Sequence, residues 1–164
     1  MKQWRAWLCL SMLGLGACSP GLDWREVRPD AGQGGQVVAL FPCKPEVINR
    51  PRMGLAQCKA AGLEFALSWA EVPDAAQVVP VLQQMRESLA KKLSFTATAP
   101  KAVQVPGMTP NPQALSQQLQ GTTQQAQVAV FGRGLRVYQV VMLGGKRDDA
   151  AWDTFFGSVK FAVQ

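Results

Sequence analysis

Histidine is absent from the 164-residue sequence. Its absence removes the commonest general base, the commonest metal ligand and the usual side chain for a pH switch near neutrality. No nucleophile elbow, Walker loop or metal-ligand spacing is present either. The sequence therefore argues against an enzyme, and we expect neither a metal ion nor an organic cofactor.

Charged residues are also scarce. They make up 17% of the chain, and the formal net charge of +6 is scattered instead of forming a basic tract. The densest basic pairs are Lys91 with Lys92 and Lys146 with Arg147, which is too little for an electrostatic footprint on nucleic acid. We expect no nucleic-acid partner. The apolar content of 48% fits a chain that folds as one domain.

No apolar run in the first twenty residues is long enough to span a bilayer, which needs about 20 residues. Lys2 and Arg5 precede a short apolar run over residues 7–15. A positive start followed by a short apolar segment is typical of a signal peptide. The sequence therefore predicts a signal peptide over residues 1–17, the alternative being an uncleaved anchor.

The residues that end this segment are Leu15-Gly16-Ala17-Cys18. Leu15 is a poor residue at position −3 of an ordinary signal peptidase site, where a small residue is preferred. The tetrapeptide instead closely resembles the lipobox of bacterial lipoproteins. The resemblance implies cleavage before Cys18 and acylation of that residue, and two or more acyl chains give stable membrane attachment. In the alternative of an uncleaved anchor, Cys18 would be a plain thiol.

The residue after Cys18 is Ser19 and not aspartate. By the pattern of Gram-negative lipoproteins, this implies transport to the periplasmic face of the outer membrane and not retention at the inner membrane. The whole chain also resembles small uncharacterised lipoproteins of proteobacteria.

The sequence has only four cysteines. Cys9 lies in the predicted signal peptide and Cys18 is the predicted lipid attachment site. Cys43 and Cys58 remain as an even pair in an exported, oxidising setting, so we predict a disulfide between them. Their spacing is not that of a C-x-x-C redox pair, and a two-cysteine metal site would lack further ligands.

Residues 18–35 have the composition of a flexible tether, and residues 36–164 form one predicted globular domain. Alternating apolar residues predict antiparallel hairpins, and two amphipathic stripes predict helices. The predicted fold class is α+β, an antiparallel sheet of about five to seven strands covered by two helices. The predicted elements are strand 36–41, hairpin 52–59 with 63–70, a helix capped by Asp74 that runs to about Leu93 with its regular part beginning near Pro80, a polar strand and its turn or else a short helix over 113–127, hairpin 127–132 with 135–143, and a helix capped by Asp148 or Asp149.

Two pieces of the chain resemble the PsbP-like α/β/α sandwich family. The first is Leu40-Phe41-Pro42-Cys43-Lys44-Pro45, and the second is strand 137–141 followed by helix 151–159. Together they cover about a quarter of the chain. The resemblance implies a sandwich fold and a mostly non-enzymatic role in supporting larger assemblies.

Few residues qualify as site candidates. Tyr138 with Arg136 could line a site, although ordinary packing on a strand explains them more simply. Glu64 and Glu71 are not an acid–base pair, because strand parity puts them on opposite faces. The proline-rich connection over residues 97–112 is long enough to be functional.

Two functions follow from these observations. The first is a non-catalytic, lipid-anchored envelope protein that binds or supports another envelope component. The second is a periplasmic small-ligand binder that uses the 97–112 loop. A deep apolar pocket near that loop would favour the ligand binder, whereas a flat exposed patch would favour a protein partner. The oligomeric state stays open.

Overall fold

The computed structural model describes residues 21–162, so the predicted signal peptide and Cys18 lie outside the described residues. None of the helices within residues 21–162 has the length and apolar character to cross a membrane. The strands are β1 (Arg25–Val27), β2 (Val37–Phe41), β3 (Glu46–Arg50), β4 (Met53–Ala60), β5 (Leu63–Glu71), β6 (Thr96–Ala97), β7 (Lys101–Ala102), β8 (Leu115–Gln120), β9 (Gln125–Arg133), β10 (Arg136–Gly144) and β11 (Lys160–Phe161), and the helices are α1 (Val78–Leu93) and α2 (Asp149–Gly157).

The main sheet has eight strands in the order β3-β4-β5-β10-β9-β8-β6, with β7 also paired to β8. Every pairing in it is antiparallel. The α+β class and the antiparallel pairing are therefore as predicted. The predicted count of five to seven strands was too low. Strand β3 lacks a buried face, and β6 and β7 are two-residue pieces inside the proline-rich connection, so none of the three carries a strong alternation signal.

A second sheet of three strands, β1-β2-β11, was not anticipated as a separate layer. It packs on one face of the main sheet together with helix α2. The aromatic ring of Phe155 on α2 meets Phe41 of β2 and Phe65 of β5 edge to face, at centroid distances of 5.0 and 5.3 Å. Such contacts add to the burial of large side chains.

Helix α1 covers the opposite face of the main sheet. Its Val78 and Leu82 pack on Val130 and Val137, whereas the neighbouring Tyr138 belongs to the other core. Adjacent residues of a strand point to opposite faces, so the two helices lie on opposite sides of the sheet. Helix α2 and its cap Asp148 are where the sequence predicted them, and α1 ends at Leu93 as predicted. Asp74 caps a 3₁₀ turn over Ala75–Gln77, and the regular helix α1 begins after this turn, at Val78.

The predicted disulfide between Cys43 and Cys58 is present, with a Cα–Cα distance of 6.0 Å. It joins the chain just after β2 to strand β4. The bridge therefore connects the three-stranded sheet to the main sheet.

The folded region begins earlier than the predicted boundary at residue 36. Strand β1 lies within the predicted tether and pairs with β2. Trp24 contacts the ring of Phe65 edge to face, with 6.0 Å between ring centroids, and Asp30 is completely buried. Trp24 and Asp30 thus attach the described part of residues 18–35 to the domain, while most of its other side chains are exposed.

Candidate functional site

A buried carboxylate ties the N-terminal segment to the main sheet. Asp30 has no exposed surface. It accepts hydrogen bonds from the Tyr138 hydroxyl at 2.8 Å, from the Val37 backbone N–H at 3.2 Å and from Arg136 at 3.3 Å. A buried ionic group is tolerated when it is paired and hydrogen-bonded in this way.

The Tyr138 hydroxyl serves as a donor in this network. Burial first, and then the negative charge of Asp30, raise the pKa of the Tyr138 hydroxyl well above its ordinary value. The hydroxyl therefore stays protonated and donates a hydrogen bond to Asp30. This places Tyr138 in a structural role.

The Arg136 guanidinium bridges three partners at one end of strand β10. It contacts Asp30, donates to the backbone oxygen of Gln33 at 2.8 Å and donates to the carboxylate of Glu71 on the neighbouring strand. Burial acts to lower the pKa of Arg136, but the hydrogen bond to Glu71 and the negative charges of Glu71 and Asp30 raise it overall. The hydrogen bond from Arg136 lowers the pKa of Glu71.

Gln33 extends the network to the tip of the β3–β4 hairpin. Its amide N–H donates to the backbone oxygens of Arg50 and Met53, at 2.7 and 3.3 Å. Its amide oxygen accepts from the indole N–H of Trp69 at 2.6 Å. The 3₁₀ turn that carries Gln33 is therefore held against the hairpin and the main sheet together.

A cleft with a volume of about 830 Å³ opens beside this network. Arg52, Arg133 and Arg136 line it with Glu71, and Leu135 adds an apolar wall. Arg136 and Glu71 form an ion pair with each other. Within residues 21–162, Arg52 and Arg133 have no carboxylate within salt-bridge distance.

Arg52 occupies an unusual backbone conformation. It follows Pro51 in the two-residue turn between β3 and β4 and has φ of 64°. Left-handed backbone costs an L-residue about 1–2 kcal/mol relative to glycine. Its backbone oxygen accepts from the N–H of Glu71 at 2.7 Å, which fixes the turn beside the cleft.

Arg133 lines the same cleft and contacts an aromatic ring. Its guanidinium carbon lies 5.1 Å from the ring centroid of Phe161, within the range of a cation–π interaction. This contact limits the side chain to one wall while leaving its N–H groups without a carboxylate partner.

The 97–112 loop is docked on the domain and not open to solvent throughout. Val105 is buried and Met108 packs against the core. The Thr109 N–H donates to Gly132, and the Thr109 hydroxyl accepts from the Gly134 N–H, both at 2.9 Å. Thr109 is the part of this loop that reaches the cleft.

The two edges of the main sheet differ. At one edge, β6 and β7 are two-residue strands separated by Pro100. At the other edge, β3 is an unbroken five-residue strand whose residues are all exposed. Val47 and Ile48 on β3 are 41% and 37% exposed, and Met53 on the same hairpin is 48% exposed.

The structure brings together the pair that the sequence suggested, since Tyr138 and Arg136 share one network and one cleft. It also separates Glu64 from Glu71, because Glu64 pairs with Lys59 at 3.2 Å at the far end of strand β5. Asp30, Gln33 and Arg52 were missed. Asp30 and Gln33 lay in the predicted tether, and only contacts distant in sequence reveal their role.

The arrangement suits anion binding better than acid–base chemistry. Arg136 holds Glu71 ionised, and Asp30 is enclosed by donors. No three potential metal ligands converge within the described part of the chain. No family model matches the sequence, and no curated protein shows significant similarity to it.

Replacing Glu71 with glutamine should make the free energy of unfolding fall less steeply as the pH is lowered below about 5. Because the folded-state pKa of Glu71 lies below its ordinary value of 4.5, its contribution is present above pH 4.5 and is lost as the pH falls through the folded value. Glu71 is partly exposed, so the contribution is at most about 1 kcal/mol. Urea denaturation at pH 3 to 7 measures it.

The matched control for this prediction is Glu46→Gln, which removes one exposed carboxylate outside the network. If the free energy of unfolding changes with pH equally in wild type and Glu71→Gln between pH 3 and 5, Arg136 does not lower the pKa of Glu71. A flattened slope in Glu46→Gln would indicate a general charge effect.

Proposed function

We propose that this chain is a non-catalytic, lipid-anchored envelope protein whose folded domain binds another envelope component. The lipobox-like sequence ending at Cys18 supports the anchor, and Ser19 favours the periplasmic face of the outer membrane. Two or more acyl chains would hold the domain at that surface. The partner we propose is a protein that adds a strand to the free edge β3.

The difference between the two sheet edges is the observation that carries this proposal. Proteins usually protect exposed edges with short strands, prolines or lysines. The β6–β7 edge is protected in this way, whereas β3 presents an unbroken backbone with Val47 and Ile48 exposed. Strand addition supplies main-chain hydrogen bonds for affinity and side-chain contacts for specificity.

The PsbP-like sandwich is a compatible fold assignment, which we propose at the family level. Its support is the placement of α1 and α2 on opposite faces of an antiparallel sheet, together with the two sequence pieces described above. A scaffolding role, common in that family, agrees with a partner-binding edge. The disulfide and the three-stranded sheet are features of this chain that the resemblance does not supply.

The second candidate is a periplasmic small-ligand binder that uses the 97–112 loop. The position of Thr109 on the wall of the cleft beside the Asp30–Arg136 network favours it. The cleft is open and lined by both charged and apolar groups, so it differs from the deep apolar pocket expected of a lipophilic-ligand carrier.

Photo-crosslinking in intact cells tests the envelope-protein proposal. A photoreactive residue at Ile48 should give at least fivefold more adduct with a different envelope protein than the same residue at Lys101, on the protected edge. Adding Val47→Lys should reduce the Ile48 adduct, because an edge lysine opposes strand addition. The crosslinked chain should fractionate with membranes and incorporate a palmitate analogue.

Cys18→Ala provides the matched control for the anchor and should abolish both the label and membrane association. An unlabelled wild-type protein, or a Cys18→Ala variant that stays in the membrane fraction, would contradict the anchor. Adducts between two copies of this chain alone, or equal adducts from Ile48 and Lys101, would contradict the envelope partner.

A further inference from the structure

The cleft beside the Asp30–Arg136 network has an excess of positive charge. Three guanidinium groups, those of Arg52, Arg133 and Arg136, surround it. Arg136 forms ion pairs with both Asp30 and Glu71, and its single positive charge offsets only one of these two carboxylates. Arg52 and Arg133 then stand on the walls without a carboxylate partner among residues 21–162.

Within residues 21–162, Arg52 shares positive φ with two other non-glycine residues, Ala61 and Ser94, and it is the one of the three that lines this cleft. Glycine is the residue that takes positive φ at no steric cost, and it is the usual choice in such a turn. A residue kept in this conformation at a cleft is a reason to look for a function of its side chain. The turn itself would be better served by glycine, so the guanidinium is what distinguishes Arg52.

Apolar residues also line the cleft. Leu135 is 44% exposed at the tip of the β9–β10 hairpin, and Val72 and Pro73 lie in the same cleft. A guanidinium presents a fork of N–H donors that matches the oxygens of carboxylates and phosphates. The charge of Arg52 also helps to lower the pKa of Glu71 in the same cleft, without a salt bridge between them. The cleft therefore combines two guanidinium groups that lie outside salt bridges with a surface for a small apolar substituent.

We propose that this cleft binds an oxyanion, a carboxylate or a phosphate, that is attached to a small apolar group, with Arg52 and Arg133 as its ligands. Arg136 pairs with Glu71, which lines the same cleft. This inference gives the second candidate function a ligand class and rests on that candidate. It does not depend on strand addition at β3.

Titration calorimetry with phenyl phosphate and phenylacetate tests the site on the purified full-length protein. Phenylacetamide, which has the same shape without the charge, is the neutral control. Arg52→Gly and Arg133→Gln should each weaken binding about tenfold or more, because each removes charged hydrogen-bond donors. Arg28→Gln removes an exposed arginine outside the cleft and should leave binding unchanged.

The Arg52→Gly variant also separates a binding role from a folding role. Its melting temperature should be equal to or above that of wild type, since glycine relieves the left-handed backbone. A folded variant that has lost the anion supports the proposal. An unaltered affinity in both cleft variants, or equal binding of phenylacetamide, would overturn it.

Vesicles distinguish a lipid headgroup from a free metabolite as the source of the anion. If the ligand is a lipid, phosphatidylglycerol vesicles should bind the protein in a manner that requires Arg52 and Arg133, and phosphatidylcholine vesicles should not. Failure of both the soluble probes and these vesicles would overturn the site. Loss of anion binding with an unchanged Ile48 crosslink would leave the proposed envelope partner standing.

Discussion

Replacing Asp30 with alanine should lower the free energy of unfolding by about 3–5 kcal/mol, the usual cost of removing one member of a buried ionic network. The variant leaves the Tyr138 hydroxyl and the Val37 N–H without their acceptor, and it leaves Arg136 with one carboxylate fewer. Asp30→Asn keeps the size of the side chain and one acceptor oxygen, so it should lower the free energy of unfolding by less than Asp30→Ala does. Chemical denaturation followed by tryptophan fluorescence measures both variants.

Asp153→Ala is the matched control, because Asp153 is an exposed aspartate on helix α2. Its free energy of unfolding should change by less than about 0.5 kcal/mol. A loss below about 1 kcal/mol in Asp30→Ala would show that the buried network contributes little. Partial loss of the cleft in Asp30→Ala would appear as weaker anion binding.

The two long hairpins could be predicted because their information is local. In β5, the odd-numbered residues from Leu63 to Trp69 are buried and the even-numbered residues are half-buried, as the alternation indicates. Gly62 takes positive φ in the turn before this strand, and Gly134 does so after β9. Periodicity and turn chemistry within about twenty residues are enough for such units.

The Asp30 network could not be predicted because its contacts are distant in sequence. Asp30 is 106 residues from Arg136 and 108 from Tyr138. A single aspartate in a glycine-rich segment is typical of a solvated loop, and nothing near it shows that it is buried. Tyr138 and Arg136 could be paired from the sequence because they are two residues apart on one strand and therefore share a face.

Strand β3 was missed for a related physical reason. A strand is recognised when one of its faces is buried, and β3 has no buried residue. Its five residues instead take their order from pairing with β4, from Glu46 opposite Gln57 to Arg50 opposite Met53. The feature that hides β3 from pattern analysis, its full exposure, is the same feature that makes it available to a partner.

Removing the Cys43–Cys58 disulfide should lower the free energy of unfolding by about 3 kcal/mol. The bridge closes a loop of 15 residues, for which the chain-entropy model gives about this value. The double variant Cys43→Ser/Cys58→Ser and the wild type under reducing conditions should therefore lose similar stability, and reductant should not affect the variant. Thiol titration of the denatured, unreduced protein provides the check, since free Cys43 and Cys58 thiols would contradict the bridge.

The disulfide variant should keep the cleft intact while losing stability. Cys58 pairs with Phe65, whereas Arg136 pairs with Glu71, six residues further along strand β5. At about 3.4 Å per residue, the bridge lies roughly 20 Å along the sheet from the cleft. The bridge acts mainly on the unfolded chain, so the folded variant should bind phenyl phosphate with wild-type affinity. Loss of that affinity would show that the joint between β2 and β4 also shapes the cleft.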